Sequence, residues 1–554
     1  MSGSILRNVS RGSFFLATEQ LVGLVSGLLY SIIVLRWLGP WTYGMLSLGL
    51  AIVGLASVAT GNFEVYLERF AAEYEARRQM GRLARAHLLT LALKVGCGLV
   101  AGAVLAALAP WLAARYHEPI LAEILWVLAG LTVCEAFIAT GRAVLFGLQR
   151  FGWMAAVALA VQGFKVAAVT LLWVKAQGLI VLAVLLLGLA VVQGVILTGL
   201  AVTFVRRGRA PAGGAMSSAA AVLVVHEGEP STAAAGAPLL GAIFRYCLPL
   251  LGARVAFLSG QNLSRVVLGA FMSLENLGYF SFAFTLVDRF VGFVYALPSS
   301  LLPSFTQLVA RGDTGRFTIL FDKAFRLVAT AAALLSAGLF LFAHELTLVV
   351  GGKSYLPAVP VLALLGLVPW ARTAQQPLTM AFYALRRTGR VLQLALVKLA
   401  TEVGAYFLLI PGLGLLGAAW ASLAGAVVSL AAALILLGLD LPPSRHRWTV
   451  MVKTATLMAL AVTTGQLLGA ATAAWPWGLW IGLALKLLLV APAFVLGVFL
   501  LDLVTFDDLA RAAGVEIRSA PVRALRDGAV RAGFFLSRSL RPLRPRRLGT
   551  TESH

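Results

Sequence analysis

Apolar runs of about twenty residues follow one another along almost the whole chain, separated by short polar breaks. The hydrocarbon core of a bilayer takes about 20 helical residues to cross, so runs of this length predict membrane spans. Transmembrane strands would alternate polar and apolar positions, which these Leu-, Ala-, Val- and Gly-rich runs do not. Lipid offers no water to the backbone, so helices remain. The pattern predicts fourteen spans: 14–35, 43–66, 87–109, 120–146, 153–174, 179–204, 246–270, 277–309, 327–350, 358–385, 391–410, 415–438, 454–474 and 478–501. The eighth is overlong and is expected to break near Pro298 and Pro303.

Composition fits that solvent. Of 554 residues, 60% are hydrophobic and 12% charged, and the mean hydropathy is +0.90, well beyond the roughly 45–50% apolar content of soluble domains. Charge then sets the orientation. With a cytoplasmic N-terminus, 32 of the 45 Lys and Arg fall in cytoplasmic segments and nine in spans, leaving four (Arg36, Arg115, Lys175, Lys353) in outer loops. The positive-inside rule puts both termini in the cytoplasm and supports an even number of spans. The opening MSGSILRNVSRGSFFLATEQ carries two arginines before the first span and no small-residue cleavage site, so it reads as an uncleaved signal anchor. Most of the net charge of +22 lies on the cytoplasmic side, with ten arginines after residue 502. That tail reads either as a basic amphipathic helix on anionic headgroups or as a solvated topogenic segment. Nucleic acid is not an expected partner, since the basic residues serve topology first.

The Ala-, Gly-, Pro- and Ser-rich stretch 206–243 reads as a flexible cytoplasmic linker between two lobes. Internal similarity supports duplication. Tyr43-Gly44-Met45-Leu46-Ser47 opens the second span and Leu277-Gly278-Tyr279-Phe280-Ser281 the eighth, 234 residues on. Gly147-Leu148-Gln149-Arg150-Phe151-Gly152 and Ala384-Leu385-Arg386-Arg387-Thr388-Gly389, 237 apart, occupy corresponding loops. The expected organisation is an all-α polytopic membrane protein: an N-lobe of six spans (1–205), the linker, a pseudo-symmetric C-lobe of six (244–440), two further spans (441–501) and a basic tail (502–554). Six is even, so the repeats run parallel about an axis along the membrane normal, as in carriers with a midplane site between lobes.

Candidate chemistry lies in the charges inside the spans. Lys94, Arg142, Lys165, Arg254, Arg265, Arg289, Arg372, Lys398 and Lys486 would together cost on the order of 20–30 kcal/mol facing lipid, even on lenient insertion scales. Lys398 with Glu402, four apart, and Glu135 with Arg142, seven apart, share helix faces and read as buried pairs. Asp288 and Arg289 point apart and each needs a partner on another helix; Lys94 and Lys486 read as snorkelling side chains. On span seven, Gln261 and Arg265 lie about 20° either side of Arg254 at 100° per residue, a polar stripe without an acid. Arg372, Gln375 and Gln376 on span ten, and Gln162 with Lys165 on span five, add donors. These imply a cationic, donor-rich cavity suited to an anion with phosphate oxygens. The alternative is that Arg254 and Arg265 pair with Glu19, Glu64 or Asp288, since Glu19, Gln20 and Ser26 give span one its own polar face. Cys97, Cys134 and Cys247 lack CxxC spacing and read as buried thiols, and His226, Glu227 and Glu229 as solvated residues, so no metal site is expected.

Four motifs carry a family likeness: Leu35-Arg36-Trp37-Leu38-Gly39-Pro40-Trp41-Thr42-Tyr43-Gly44 after span one, Arg69-Phe70-Ala71-Ala72-Glu73-Tyr74 after span two, Gly278-Tyr279-Phe280-Ser281-Phe282-Ala283 opening span eight, and Gly351-Gly352-Lys353-Ser354-Tyr355-Leu356-Pro357-Ala358 before span ten. Over about residues 5–440 the chain resembles the Wzx-type oligosaccharide flippases of bacterial polysaccharide biosynthesis. Their superfamily, the MOP exporters, also holds the lipid II flippase and the multidrug and toxin extruders. In the first motif, Gly39-Pro40 is expected to make a tight turn and Gly44 to let span two start close against its neighbour. The long linker and basic tail have no counterpart in the family pattern.

The resemblance implies a carrier in the bacterial cytoplasmic membrane. Its cargo would be an undecaprenyl-pyrophosphate-linked oligosaccharide, moved from the cytoplasmic to the outer leaflet by alternating access. The expected substrate-binding residues are Arg254, Arg265, Gln261, Arg142, Arg372, Gln376, Lys165 and Glu19. Membrane lipids, H+ or Na+, and other polysaccharide-assembly proteins are the expected partners, with spans thirteen and fourteen a groove for the lipid tail. A cation-coupled drug extruder of the same fold is the alternative, disfavoured by the buried cations. A glycan polymerase or ligase is more distant: the outer loops are short, and no DxD, phosphate loop, HExxH or nucleophile elbow stands in suitable context, so neither enzyme chemistry nor a cofactor is expected. A major-facilitator carrier would want an acidic-basic motif where RFAAEYEARRQMGRL stands.

Overall fold

The computed structural model describes residues 2–207, 239–294, 301–385, 387–440 and 445–472 and isolated positions between 488 and 498, with backbone alone for residues 2–21. Most of the linker, the basic tail, most of the fourteenth span with Lys486, the break at Pro298, and the side chains of Glu19 and Gln261 fall outside the described residues. Among those described there is no strand, and nine helices are long and apolar enough to cross a membrane. The protein is an all-α, multi-pass membrane protein.

Two of those helices each carry two of the predicted spans. Helix α1 (Ser2–Ala56) contains a non-helical residue, Gly39, at φ 71° and ψ 174°, directly before Pro40. Only glycine takes that φ without strain, and Pro40 lacks the N–H that would continue the ladder, so the chain turns there. Gly414, at φ 57°, breaks the longest later helix, Thr388–Asp440, in the same way. The second span, expected to be continuous to residue 66, is interrupted. After α1 come one 3-10 turn, Ser57–Thr60, and Gly61 at φ 74°, and the helix restarts as α2 (Glu64–Ala76). Then follow α3 (Met80–Arg115), α4 (Ile120–Gly147), α5 (Phe151–Val174), α6 (Leu179–Arg207), α7 (Leu239–Phe271) and α8 (Leu274–Val294). Beyond them lie α9 (Leu302–Ala310), α10 (Thr314–Leu341), α11 (Ala343–Val350), α12 (Val359–Leu365), α13 (Val368–Ala384), α14 (Thr388–Asp440) and α15 (Arg445–Thr472).

The chain divides into two compact units. The first comprises Met1–Ala296, Leu346–Val361 and Gly389–Val428; the second comprises Leu297–Glu345, Leu362–Thr388 and Ser429–His554. In the first, the limb of α1 beyond Gly39 packs against α8 with backbones in direct contact. A Cβ on Gly44 would strike the carbonyl oxygen of Leu274, and one on Gly278 the carbonyl oxygen of Pro40. Gly44 and Gly278 are 234 residues apart, and so are Pro40 and Leu274, so the contact maps onto itself under the internal repeat. Beside it Tyr355, fully buried, is ringed edge-on by Tyr43 and Tyr279, at centroid distances of 6.5 and 6.1 Å, and by Phe282.

In the second unit α10 packs on α13 and α15. Phe305 sits among Phe317 and Phe321, and Phe325 stacks on Phe321 one turn along α10. Arg447, 3% exposed, donates from Nε to Asp322 at 2.9 Å and lies over the Phe321 ring. A buried guanidinium needs both its carboxylate and a polarisable face to offset lost hydration.

Candidate functional site

The interruption of the second span sets a carboxylate inside the first unit. Gly61 turns the chain, Asn62 and Phe63 follow out of helix, and Glu64 opens α2 with its side chain 7% exposed. Its two oxygens are divided between two cations. Lys94 of α3, fully buried, donates to Oε2 at 2.6 Å, and Arg254 of α7 reaches Oε1 at 3.5 Å with its own side chain 37% exposed. Two more acids stand in the same field: Glu135 of α4 feels the charges of Lys94, Glu64, Arg254 and Arg142. Glu68, just past the predicted end of the span, has its carboxyl pushed up by burial and by Glu64, against the pull of Arg142, Arg254 and Lys94. Lys94, Arg142 and Arg254 thus share one electrostatic field with Glu64, Glu68 and Glu135, and of the two cations on Glu64 Arg254 is the more exposed.

This corrects one expectation. Lys94 does not snorkel; it is held inside by Glu64, since a four-carbon stem pointing between helices has no water to reach and only a carboxylate makes its burial tolerable. Lys398 and Glu402 do pair along α14, at 2.8 Å.

A second group of cations surrounds span one. Arg289 of α8 lies against Gly27, where a Cβ would come within 3.0 Å of the guanidinium. Lys165 of α5 sits over the Tyr30 ring at 4.0 Å, with Arg289 as its charged neighbour. Neither has an ion pair with a carboxylate among the described residues. Arg265 stands apart: its guanidinium lies 4.7 Å over Phe284, its Nε has no hydrogen-bond partner among the described residues, and Tyr43, Asp288 and Tyr406 act on it electrostatically. Arg254 and Arg265, eleven residues and therefore about 16 Å apart along one helix, meet different surroundings.

Arg142 also lines a cavity of about 140 Å³ with Gln162, Gln193, Val22 and Gly23 among its walls. Gln193 was not among the expected residues. Its signal in the sequence is that it is the one amide or charged side chain between Leu179 and Val205 of α6. Arg372 and Gln376 are half-buried on α13, in the second unit. Of the eight expected residues, the structure therefore places Arg254 and Arg142 around one acid cluster, Lys165 beside Arg289, Arg265 over a phenylalanine, and Arg372 with Gln376 on one helix.

Helical hairpins closed at glycine, with charge buried between spans, make up a polytopic membrane fold that solved structures share. Solved structures with that fold include an inward-facing multidrug resistance MATE family transporter of the MOP superfamily, with a TM-score of 0.56 and 14% identity over 76% of this chain and 94% of that one. The lipid II flippase MurJ in an inward closed conformation gives 0.57 and 13% over 86% and 96%. A eukaryotic MATE transporter gives 0.54 and 11% over 81% and 99%. At these identities it is the fold that is shared. Among curated proteins none matches. By sequence, the polysaccharide biosynthesis protein family matches residues 9–309, and the lipid II flippase MurJ family matches residues 290–487. The first match spans more than half of the chain, which belongs to the polysaccharide biosynthesis protein family.

Proposed function

We propose that the protein is a flippase of the bacterial cytoplasmic membrane that carries an undecaprenyl-pyrophosphate-linked oligosaccharide from the cytoplasmic to the outer leaflet. The observation that carries this reading is the set of cations lining the first unit within the spans: Arg254 half-exposed, Lys165 beside Arg289 without a carboxylate among the described residues, and Arg265 over an aromatic face. A pyrophosphate diester carries two negative charges and many acceptor oxygens, which guanidinium groups take in pairs. A polar glycan needs amides and water, and Gln162 and Gln193, which share one cavity of the first unit, supply the amides. Alternating access of the halves 1–205 and 244–440 would move the headgroup while the prenyl tail stays in the bilayer, with H+ or Na+ as the coupling ion and other assembly proteins as partners. An extruder of organic cations is less well supported, because Glu64 and Glu402 are already held by Lys94 and Lys398.

Arg254→Ala and Arg265→Ala are each expected to abolish surface polysaccharide at unchanged protein level, and Lys at either position to restore part of it. Arg254→Ala leaves Glu64 still paired to Lys94, so the loss would not be one of folding. Full polysaccharide in both alanine variants would reject the reading. Deletion of the gene should leave a lipid-linked saccharide in the inner leaflet.

A further inference from the structure

Glu64 is the group in the charged cluster whose geometry has a direction. Its bond to Lys94 is short and fully buried; its contact with Arg254 is long and meets solvent. A desolvated ammonium cannot give up its carboxylate, whereas a half-hydrated guanidinium at 3.5 Å exchanges readily between partners. We infer that Glu64 is a positioning residue that holds Arg254 when the site is empty, competes with the anionic substrate for that guanidinium, and retakes it to drive release. The inference rests on the flippase reading.

Lys94 gives this arrangement its asymmetry. By fixing one oxygen it keeps the carboxylate aimed, so the other oxygen stands as a permanent rival within reach of Arg254. A carrier must bind a dianion and then let it go on the other side, and a cation that never lost its internal partner would bind too weakly, one without a partner too tightly. The loosely paired Arg254 lies between these limits. Glu68 and Glu135 share the field but make no ion pair with Arg254, so among the described residues the contact to Glu64 is the one that can be broken and remade.

The test is binding of undecaprenyl pyrophosphate to the full chain in nanodiscs of neutral phosphatidylcholine, read as both the dissociation constant and the dissociation rate. Glu64→Gln with Lys94→Met removes the rival and its anchor together, so no buried charge is orphaned. It is expected to tighten binding by about twofold to fivefold, the upper range of one partly exposed ion pair, with the change in the off-rate. Adding Arg254→Gln to that pair of changes should cancel the gain. Glu64→Asp, which keeps the charge beside Lys94 and shortens its reach to Arg254, should shift affinity the same way by about twofold. Parent affinity in the double variant, or a gain that survives Arg254→Gln, overturns the inference while leaving the flippase reading intact. If the double variant does not fold, parent affinity in Glu64→Asp overturns it. A parent protein that does not bind undecaprenyl pyrophosphate overturns both.

Discussion

Glu64→Gln alone is expected to strip most of the folded protein from the membrane, and Lys94→Met added to it to bring the protein back. Lys94 has no exposed surface and its ammonium donates to Glu64 at 2.6 Å. Neutralising the carboxylate leaves a charged group in a dry helix interface, an error of about 3–5 kcal/mol against a total folding stability of about 5–15 kcal/mol. Replacing both members of such a pair by neutral groups of similar size is by contrast near neutral. Arg150 and Glu75 provide the control, since they form an ion pair at 3.9 Å with each side chain about half exposed. Glu75→Gln should move stability by less than about 1 kcal/mol. Fluorescence-detected size exclusion after a temperature series, on detergent-solubilised protein, reads all three. Equal thermal stability of Glu64→Gln and the parent, or a double variant no better than the single, would sink the argument.

The same residues show what the sequence discloses and what it conceals. Membrane spans are legible because a bilayer imposes one length and one solvent on every helix, and the turn at Gly39 is legible because glycine followed by proline has one local consequence. The pair Lys398–Glu402 is legible for a similar reason: four residues along one helix is a fixed distance. Glu64, Lys94 and Arg254 are not, because their meeting depends on how three helices far apart in sequence pack, and no periodicity within any one of them carries that information. The interruption at Gly61 is hidden as well, since apolar residues stand on both sides of it and a lone glycine inside a helical pattern usually stays helical. The polar face of α3, with His87, Thr90 and Lys94 all buried, is the hint that a snorkelling lysine was the wrong picture: a lysine reaching for water has no reason to share its face with a buried histidine and threonine.

Gly44→Ala is expected to destabilise the protein although the same change in most helix interiors is favourable. Alanine is better than glycine in a helix by about 1 kcal/mol, and Gly163→Ala on α5, where nothing lies within 4 Å of an added Cβ, should show that gain. At Gly44 the new carbon meets main chain: the carbonyl oxygen of Leu274, with the Gly278 nitrogen 2.9 Å away. Backbone cannot rotate aside as a side chain does, so the two helices must part, and overpacking of this kind costs about 1–3 kcal/mol and more when relaxation is blocked. The partner face offers no relief, because Gly278 meets the Pro40 carbonyl in the reciprocal way and separation at one glycine opens the other. Gly278→Ala should therefore match Gly44→Ala in sign and size, and the double variant should fall well short of the sum, since one separation serves both. Additive losses, or a stabilised Gly44→Ala, would show that α1 and α8 are not held at backbone contact.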